Sequence, residues 1–317
     1  MRTPVNDMII SASRRTDIPA FYSEWLINRL REGHVLVRDP YDANHLKHIE
    51  LTPDNVDCIV LWTKNPSEVA ERFAELDGMG HRYYMQFTLT PYGRDVEPNL
   101  PPKNELIGTF RKMSETIGAA RSVWRYDPVI ISGERTVEWH AERFAEMCGL
   151  LQGSTERCFI SFIDMYRSIG KRFRPMTEDE MSATASVFSR IAKEYRITLF
   201  TCSERTDLSK YGIKHGACID HELIEKMIGR RINAKSDANQ RDGCGCAESV
   251  DIGSYNTCAH GCTYCYATSS GKITAQRMAS HDPDSPLICG WPNGNETVTD
   301  ITKRSRRSAQ QSLYGYE

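Results

Sequence analysis

The chain has 317 residues, 40% of them apolar, with a net charge of −2 and a pI near 6.5. That is enough apolar sequence for a sizeable core, and the near-neutral balance argues against a global field that would gather nucleic acid. No run of about eighteen apolar residues occurs, and the first seven residues lead into a short apolar strand rather than a signal-peptide core, so a cytosolic protein without a membrane span is expected.

Short β-rich runs alternate with longer amphipathic ones. In chain order the patterns predict a strand over 8–13, a helix over 20–32, a strand over 56–63 and a helix over 67–76. Next come a strand over 82–90, a helix over 103–117, a strand over 122–131 and a helix over 137–151. A strand over 158–164, a helix over 177–194 and a strand over 197–202 complete the series. Such alternation implies right-handed βαβ units and an α/β fold with a parallel sheet, open or closed into a barrel. Beyond residue 212 the sequence turns rich in Gly, Cys, Asn and Ser. The basic run Lys303–Arg307 reads as a solvated terminus.

Polar chemistry collects where the predicted strands end. The first ends in Ser11-Ala-Ser-Arg14-Arg15-Thr16-Asp17, the second in Trp62-Thr-Lys64-Asn-Pro66, the third in Phe87-Thr-Leu-Thr90, with Glu97 following. The fourth carries Arg125-Tyr-Asp127-Pro128, the fifth Asp164 and Arg167, the sixth Cys202-Ser-Glu204. A charged group inside an apolar strand is costly unless it points into a site, so its recurrence at successive strand ends is the pattern of a barrel mouth. Arg125 with Asp127 could pair across that mouth, whereas Glu97 and Glu204, as single loop carboxylates, carry a weaker signal.

The chain contains eleven cysteines, many for a protein that should not rely on disulfides. Cys58, Cys148 and Cys158 lie in or beside apolar sequence and read as small buried hydrophobes. The other eight fall between Cys202 and Cys289. Among them, Cys258-Ala-His-Gly-Cys262-Thr-Tyr264-Cys265 has the spacing C-x3-C-x2-C. Three such thiolates can hold three irons of a [4Fe–4S] cube and leave the fourth open to an exogenous ligand. The alternative is zinc, with Cys262 and Cys265 joined by Cys244 and Cys246 or by His260. The motif's spacing and its aromatic favour the cluster. Cys202, Cys218, Cys244 and Cys246 could complete a second metal site, either an auxiliary [4Fe–4S] cluster or a structural zinc. The role of Cys289 stays open.

The cysteine motif, with Tyr255-Asn-Thr before it and Tyr266-Ala after it, resembles the radical S-adenosylmethionine (SAM) enzymes, in particular the branch that includes spore photoproduct lyase. Thr63-Lys64-Asn65-Pro66, Phe87–Thr90 with Glu97-Pro98, Asp127-Pro128 and Thr16-Asp17 are similar to that branch's later strand ends, in their usual relative order. Here the cluster segment comes last instead of first. The resemblance therefore implies a partial or full TIM-like barrel in circularly permuted order, with the strand into Cys258, near 248–254, pairing in parallel with 8–13. As a whole the chain also resembles an uncharacterised bacterial family with a cysteine-rich C-terminus.

By that resemblance Cys258, Cys262 and Cys265 bind the cluster, SAM chelates its open iron, Lys64 meets the SAM carboxylate and the Tyr264 region lies against the adenine. Arg14, Arg15 and Asp17 would contact SAM or substrate, and His260 would hydrogen-bond near the cluster rather than ligate it. The implied activity is reductive cleavage of SAM to start radical chemistry on an unidentified substrate, with an electron donor such as flavodoxin or ferredoxin. The organisation expected is a main barrel over 1–202, a cysteine-rich insertion over 203–247, a cluster-binding segment over 248–272 and a loop-rich tail over 273–317. The competing reading is a zinc-stabilised α/β binding or hydrolytic protein without redox chemistry. A nucleic-acid repair or modification enzyme is a third, weakened by the lack of placed cations.

Overall fold

The computed structural model describes residues 8–170, 172–233, 235–241 and 243–301; the basic run 303–307 lies outside them. In chain order the elements are β1 (Ile9–Ala12), α1 (Ile18–Phe21), α2 (Ser23–Glu32), β2 (His34–Arg38), β3 (His45–Glu50) and β4 (Cys58–Thr63). Then follow α3 (Ser67–Ala70), α4 (Phe73–Gly78), β5 (Tyr83–Thr88), α5 (Lys103–Ile117), β6 (Ser122–Val129) and α6 (Val137–Leu151). After β7 (Arg157–Phe162), α7 (Glu178–Glu194), β8 (Thr198–Thr201) and β9 (Lys214–His215) come α8 (His221–Ile228), β10 (Val250–Asp251), α9 (Gly271–Ala279) and β11 (Thr297–Asp300).

Eight of these strands form one sheet in the order β10-β1-β4-β5-β6-β7-β8-β9, every neighbouring pair parallel. The parallel α/β fold expected from the alternation is therefore present. So is the pairing of the segment before Cys258 with the first strand, in the register Ile10↔Val250 and Ser11↔Asp251.

Because successive side chains on a strand face opposite sides, the sheet supports two cores. Ile10, Ile59, Leu61, Met85 and Trp124 face the helices, where they meet Trp25, Phe110, Phe144 and Phe188. The rings of Phe144 (α6) and Phe188 (α7) stack with centroids 4.0 Å apart. Each such buried side chain contributes roughly 1.5–3 kcal/mol. The alternate residues Ile9, Cys58, Val60, Tyr84, Val123 and Phe159 face the other way and pack against Leu223 and Ile224 of α8. Cys58, Cys148 and Cys158 are fully buried, as their apolar surroundings suggest.

Local chemistry explains several boundaries. α7 starts at a capping box: Thr177 Oγ1 accepts from Glu180 N at 3.2 Å and Glu180 Oε2 from Thr177 N at 2.9 Å. The single helix expected over 20–32 is two, broken at Tyr22, whose hydroxyl donates to Thr257 O at 2.6 Å. That bond draws the chain toward the cysteine loop. The helix expected over 67–76 is likewise divided into α3 and α4.

The sequence reading passed over the β2–β3 hairpin, although His34–Arg38 alternates between buried and half-buried positions. β11 adds to β3 in parallel, so the segment expected as loop-rich tail carries both α9 and a strand of a second, three-stranded sheet. Trp25 Nε1 donates to Ser285 O at 2.9 Å and Leu36 N to Pro286 O at 3.0 Å, fastening this segment to the main body. No helix among the described residues is long and apolar enough to cross a membrane.

Candidate functional site

Side chains on the α8 face of the sheet change character along the strands. On β5 the order is Tyr84, Gln86, Thr88; on β6 it is Val123, Arg125, Asp127; on β1 it is Ile9 and Ser11, with Ser13 just beyond. The amino ends are filled by apolar groups against α8, and the carboxyl ends open into a cavity of about 1770 Å³. Both cysteine groups line it, together with Arg14, Trp62, Lys64, Arg125 and Asp127. Placement at the carboxyl ends is the general rule for functional sites in parallel sheets.

Three carboxylates organise its rim, Asp17 and Glu97 buried and Asp251 partly so. Asp251, on β10, accepts from Ser11 Oγ (2.9 Å), Ser13 Oγ (2.6 Å), Arg14 N (2.8 Å) and Gly253 N (3.0 Å). This array locks the strand entering the cysteine loop to the end of β1. Gly253 is required by close approach, since a Cβ there would sit 2.0 Å from Ser13 Oγ.

Asp17 is the second. It caps α1 through Ala20 N (3.0 Å), accepts from Lys64 N (2.7 Å) and receives His260 Nε2 at 2.8 Å. The expected contact of Asp17 with SAM thus meets a carboxylate already committed to three protein donors, one of them inside the cysteine motif. His260 is buried, and its Nδ1 has no hydrogen-bond partner among the described residues.

Glu97 is the third and is 1% exposed. Lys64 Nζ lies 2.8 Å from its Oε1, Thr90 Oγ1 donates to it at 2.9 Å, and Lys103 and the Tyr264 hydroxyl complete its shell. Burial alone would push this carboxyl up, but the two ammonium groups bring it down to about 2. What reads in sequence as a solvated loop carboxylate is thus an ionised anchor. Lys64 Nζ also lies 5.3 Å from the centre of the Tyr264 ring, so the two residues expected to meet SAM are adjacent.

The cysteine loop docks on this rim through its backbone. Asn99 N donates to His260 O (3.3 Å), Asn99 Nδ2 to Ala259 O (2.7 Å) and Thr263 N to Val96 O (2.9 Å). Gly261, at φ +69°, makes the turn against Pro98 and Asn99. Cys258, Cys262 and Cys265 are all partly exposed and all line the cavity. Burial pushes the Cys262 thiol up to about 12.

Facing the same cavity, Cys202, Cys244 and Cys246 bring their sulfurs within 4.8 Å of one another. Cys218 interacts with Cys202 and Cys246, so all four cysteines expected at a second site converge. The partly buried guanidinium of Arg125 donates to Cys218 Sγ and pairs with Asp127, along β6 rather than across the mouth. Asp127 also accepts from Ser161 Oγ.

Arg14 pairs with Asp237 at 3.2 Å, and one of its terminal nitrogens is buried without a partner among the described residues. Arg14 and Arg125 both lie over the Trp62 ring, 5.6 and 5.2 Å from its centre. Arg15 stands at 4.0 Å from Asp251 and over the ring of Tyr255. Glu204, which accepts from Phe162 N at 2.9 Å, is pushed up to about 7 by burial. Cys289 is partly exposed, does not line the cavity and interacts with Tyr22.

Asp251, Asp237 and Lys103 were not singled out by the sequence. Asp251 carried a usable signal, a carboxylate inside the strand that leads into the motif. Lys103 and Asp237 carried none, since a lysine at a helix start and an aspartate in a polar loop are ordinary on a solvated surface.

Fold and cavity define a class: an α/β protein whose parallel sheet gathers buried charges and seven cysteines at the carboxyl ends of its strands. Within that class, the chain belongs to the family described as "Domain of unknown function (DUF1848)", whose model matches residues 9–267. The matched span runs from β1 to just beyond Cys265 and so contains both cysteine groups. No curated protein matches the chain.

Proposed function

We propose that the protein is a radical SAM enzyme whose [4Fe–4S] cluster is held by Cys258, Cys262 and Cys265. The observation that carries this reading is the position of those thiols. They project from one loop into a large cavity at the carboxyl ends of a parallel sheet, on a segment whose strand lies beside β1. The order β10-β1-β4 is compatible with a permuted barrel, the cluster strand coming last in the chain among the strands of this sheet and standing at its edge beside β1.

The residues present fit the group. A cube places its thiolates on separate irons, and the sulfurs of this loop do not crowd together as those of Cys202, Cys244 and Cys246 do. Lys64 and Lys103 lie near Cys262 and offset its negative charge. Unpartnered polar atoms on Arg14 and His260 are available beside the cavity. When bound there, the cluster would supply the electron that cleaves the sulfonium carbon–sulfur bond of SAM. The protein's own part is positional: Asp17 and Glu97 fix His260, Lys64 and Tyr264, and Asp251 holds the loop's entry strand. The cavity exceeds the usual volume of a single small-ligand site, about 300–1,000 Å³, so its size is compatible with a cluster and SAM together. Flavodoxin or ferredoxin is the class of electron donor this chemistry calls for.

The test is anaerobic reconstitution with iron and sulfide, followed by reduction in the presence of SAM. Formation of 5′-deoxyadenosine is expected, and its loss in Cys262→Ala. Cleavage unchanged in that variant, or absent from cluster-loaded wild type, overturns the proposal.

A further inference from the structure

We infer that Cys202, Cys218, Cys244 and Cys246 form a mononuclear zinc site that clasps the two edges of the eight-stranded sheet together. The inference stands on different residues from the proposed SAM chemistry and survives its failure.

Sulfur spacing selects the ion. Cys202 Sγ lies 3.7 Å from Cys246 Sγ and 4.0 Å from Cys244 Sγ. A tetrahedral ion with Zn–S bonds of about 2.3 Å requires sulfurs about 3.8 Å apart, the bond length multiplied by about 1.63. A [4Fe–4S] cube carries each thiolate on a different iron, which forces the sulfurs well beyond contact. These two separations match one ion and are too short for a cube, and Cys218, beside Cys202 and Cys246, is placed to supply the fourth sulfur. Four protein sulfurs around one ion also make a closed site, the arrangement of structural zinc.

The surroundings suit a tetrathiolate. Four thiolates around a divalent cation carry two net negative charges, which must be met in a partly buried position. Arg125, partly buried on β6, donates directly to Cys218 Sγ. Ile219 N donates to Cys246 Sγ at 3.4 Å, a backbone bond of the kind that orients a ligating sulfur.

The clasp follows from where the ligands sit. β9 and β10 are the outermost strands at opposite ends of the sheet and are not hydrogen-bonded to each other as neighbours. Cys202 directly follows β8, Cys218 lies just beyond β9, and Cys244 and Cys246 precede β10. An ion bound to all four ties one edge to the other. Among the described residues, the protein bonds that already cross this gap include Ala247 N donating to Ile219 O at 3.0 Å and His215 Nε2 meeting Gly243 O. Strand pairing holds every other junction of the sheet, and here metal–sulfur bonds would take its place.

Metal content and hydrogen exchange test the inference together. Anaerobically purified full-length protein should contain one zinc per chain, retained in Cys262→Ala and lost in Cys244→Ser. Should Cys244→Ser fail to fold, the wild type still decides. Exchange of Co²⁺ into the zinc site should give the intense visible d–d bands and the thiolate charge-transfer absorption of a tetrahedral tetrathiolate. Stripping the metal with a chelator should then accelerate amide exchange in β9 and β10 by about tenfold or more, while β5 and β6 stay protected. Iron with sulfide lost on Cys244→Ser, a single sulfide-free iron in place of zinc, or no bound metal would each overturn the zinc assignment. Equal exchange in β9 and β10 with and without zinc would overturn the clasp.

Discussion

Two sets of thiols face one cavity and differ in how the chain delivers them. Cys258, Cys262 and Cys265 come from one loop, stand apart, and are held in place by buried charges on other elements: Asp17 through His260, and Glu97 beside Lys64 and Tyr264. Cys202, Cys218 and the Cys244–Cys246 pair come from three separate segments and gather beside the Arg125 guanidinium, which donates to Cys218. A loop that presents ligands from one short stretch needs external bracing to keep its shape. A site assembled from distant segments is itself the brace. The contrast teaches that similar donor atoms serve opposite mechanical roles, depending on how much chain separates them.

The largest effect that would sharpen this contrast is expected from Glu97→Gln. Removing the carboxylate leaves Lys64 and Lys103 as neighbouring, partly buried cations without their shared partner, at a cost of about 2–4 kcal/mol once solvent screening is allowed for. The urea midpoint should fall accordingly, while binding of zinc or Co²⁺ by the Cys202 set is unchanged. Loss of that binding as well would show the two regions to be one cooperative unit. The depressed pKa of Glu97 fixes the pH dependence of this contribution. It is fully present above the unfolded carboxyl value of about 4.3 and is lost as pH falls through about 2.

A smaller effect is expected from Gly253→Ala. The added Cβ would collide with Ser13 and push β10 away from β1. A destabilisation of about 1–3 kcal/mol, read as a lowered urea midpoint, follows from overpacking at a rigid contact. Faster amide exchange should be confined to β10 and the cysteine loop. A neutral substitution would mean that Asp251 does not hold the strand as closely as its four hydrogen bonds indicate.

The smallest effect concerns Glu204, next to Cys202 in the chain but outside both thiol sets. Its folded pKa of about 7 lies above the unfolded value, so the folded state binds the proton more tightly. The stability this contributes is complete below about pH 4.3 and disappears as pH rises through about 7. Wild type should therefore lose on the order of 2 kcal/mol relative to Glu204→Gln between pH 4.5 and 8, roughly discounted for partial exposure. Parallel stability curves for the two proteins would show the carboxyl to be solvated.

How much was legible in sequence follows the same division. Hydrophobic periodicity located α5 and α6 at their observed bounds and all the interior strands, because burial on a sheet or helix face leaves a period of two or 3.6 residues. The spacing of Cys258, Cys262 and Cys265 and the polar strand ends pointed to the cavity, because neighbours in sequence on one loop remain neighbours in space. The break at Tyr22 was not visible, because it depends on a bond to Thr257, and the strand character of 297–300 depends on its pairing with β3.

The sequence by itself determined the alternation of strands and helices, the single-loop thiol motif and the placing of charges where strands end, since each depends on residues close together in the chain. Only the tertiary structure decided that Glu97 is ionised between two lysines, that Asp251 locks β10 to β1, and that cysteines from distant segments gather, with Cys202 Sγ 3.7 Å from Cys246 Sγ. Those outcomes are set by distances between elements far apart in the chain, and electrostatic and coordination energies change steeply over a few ångströms.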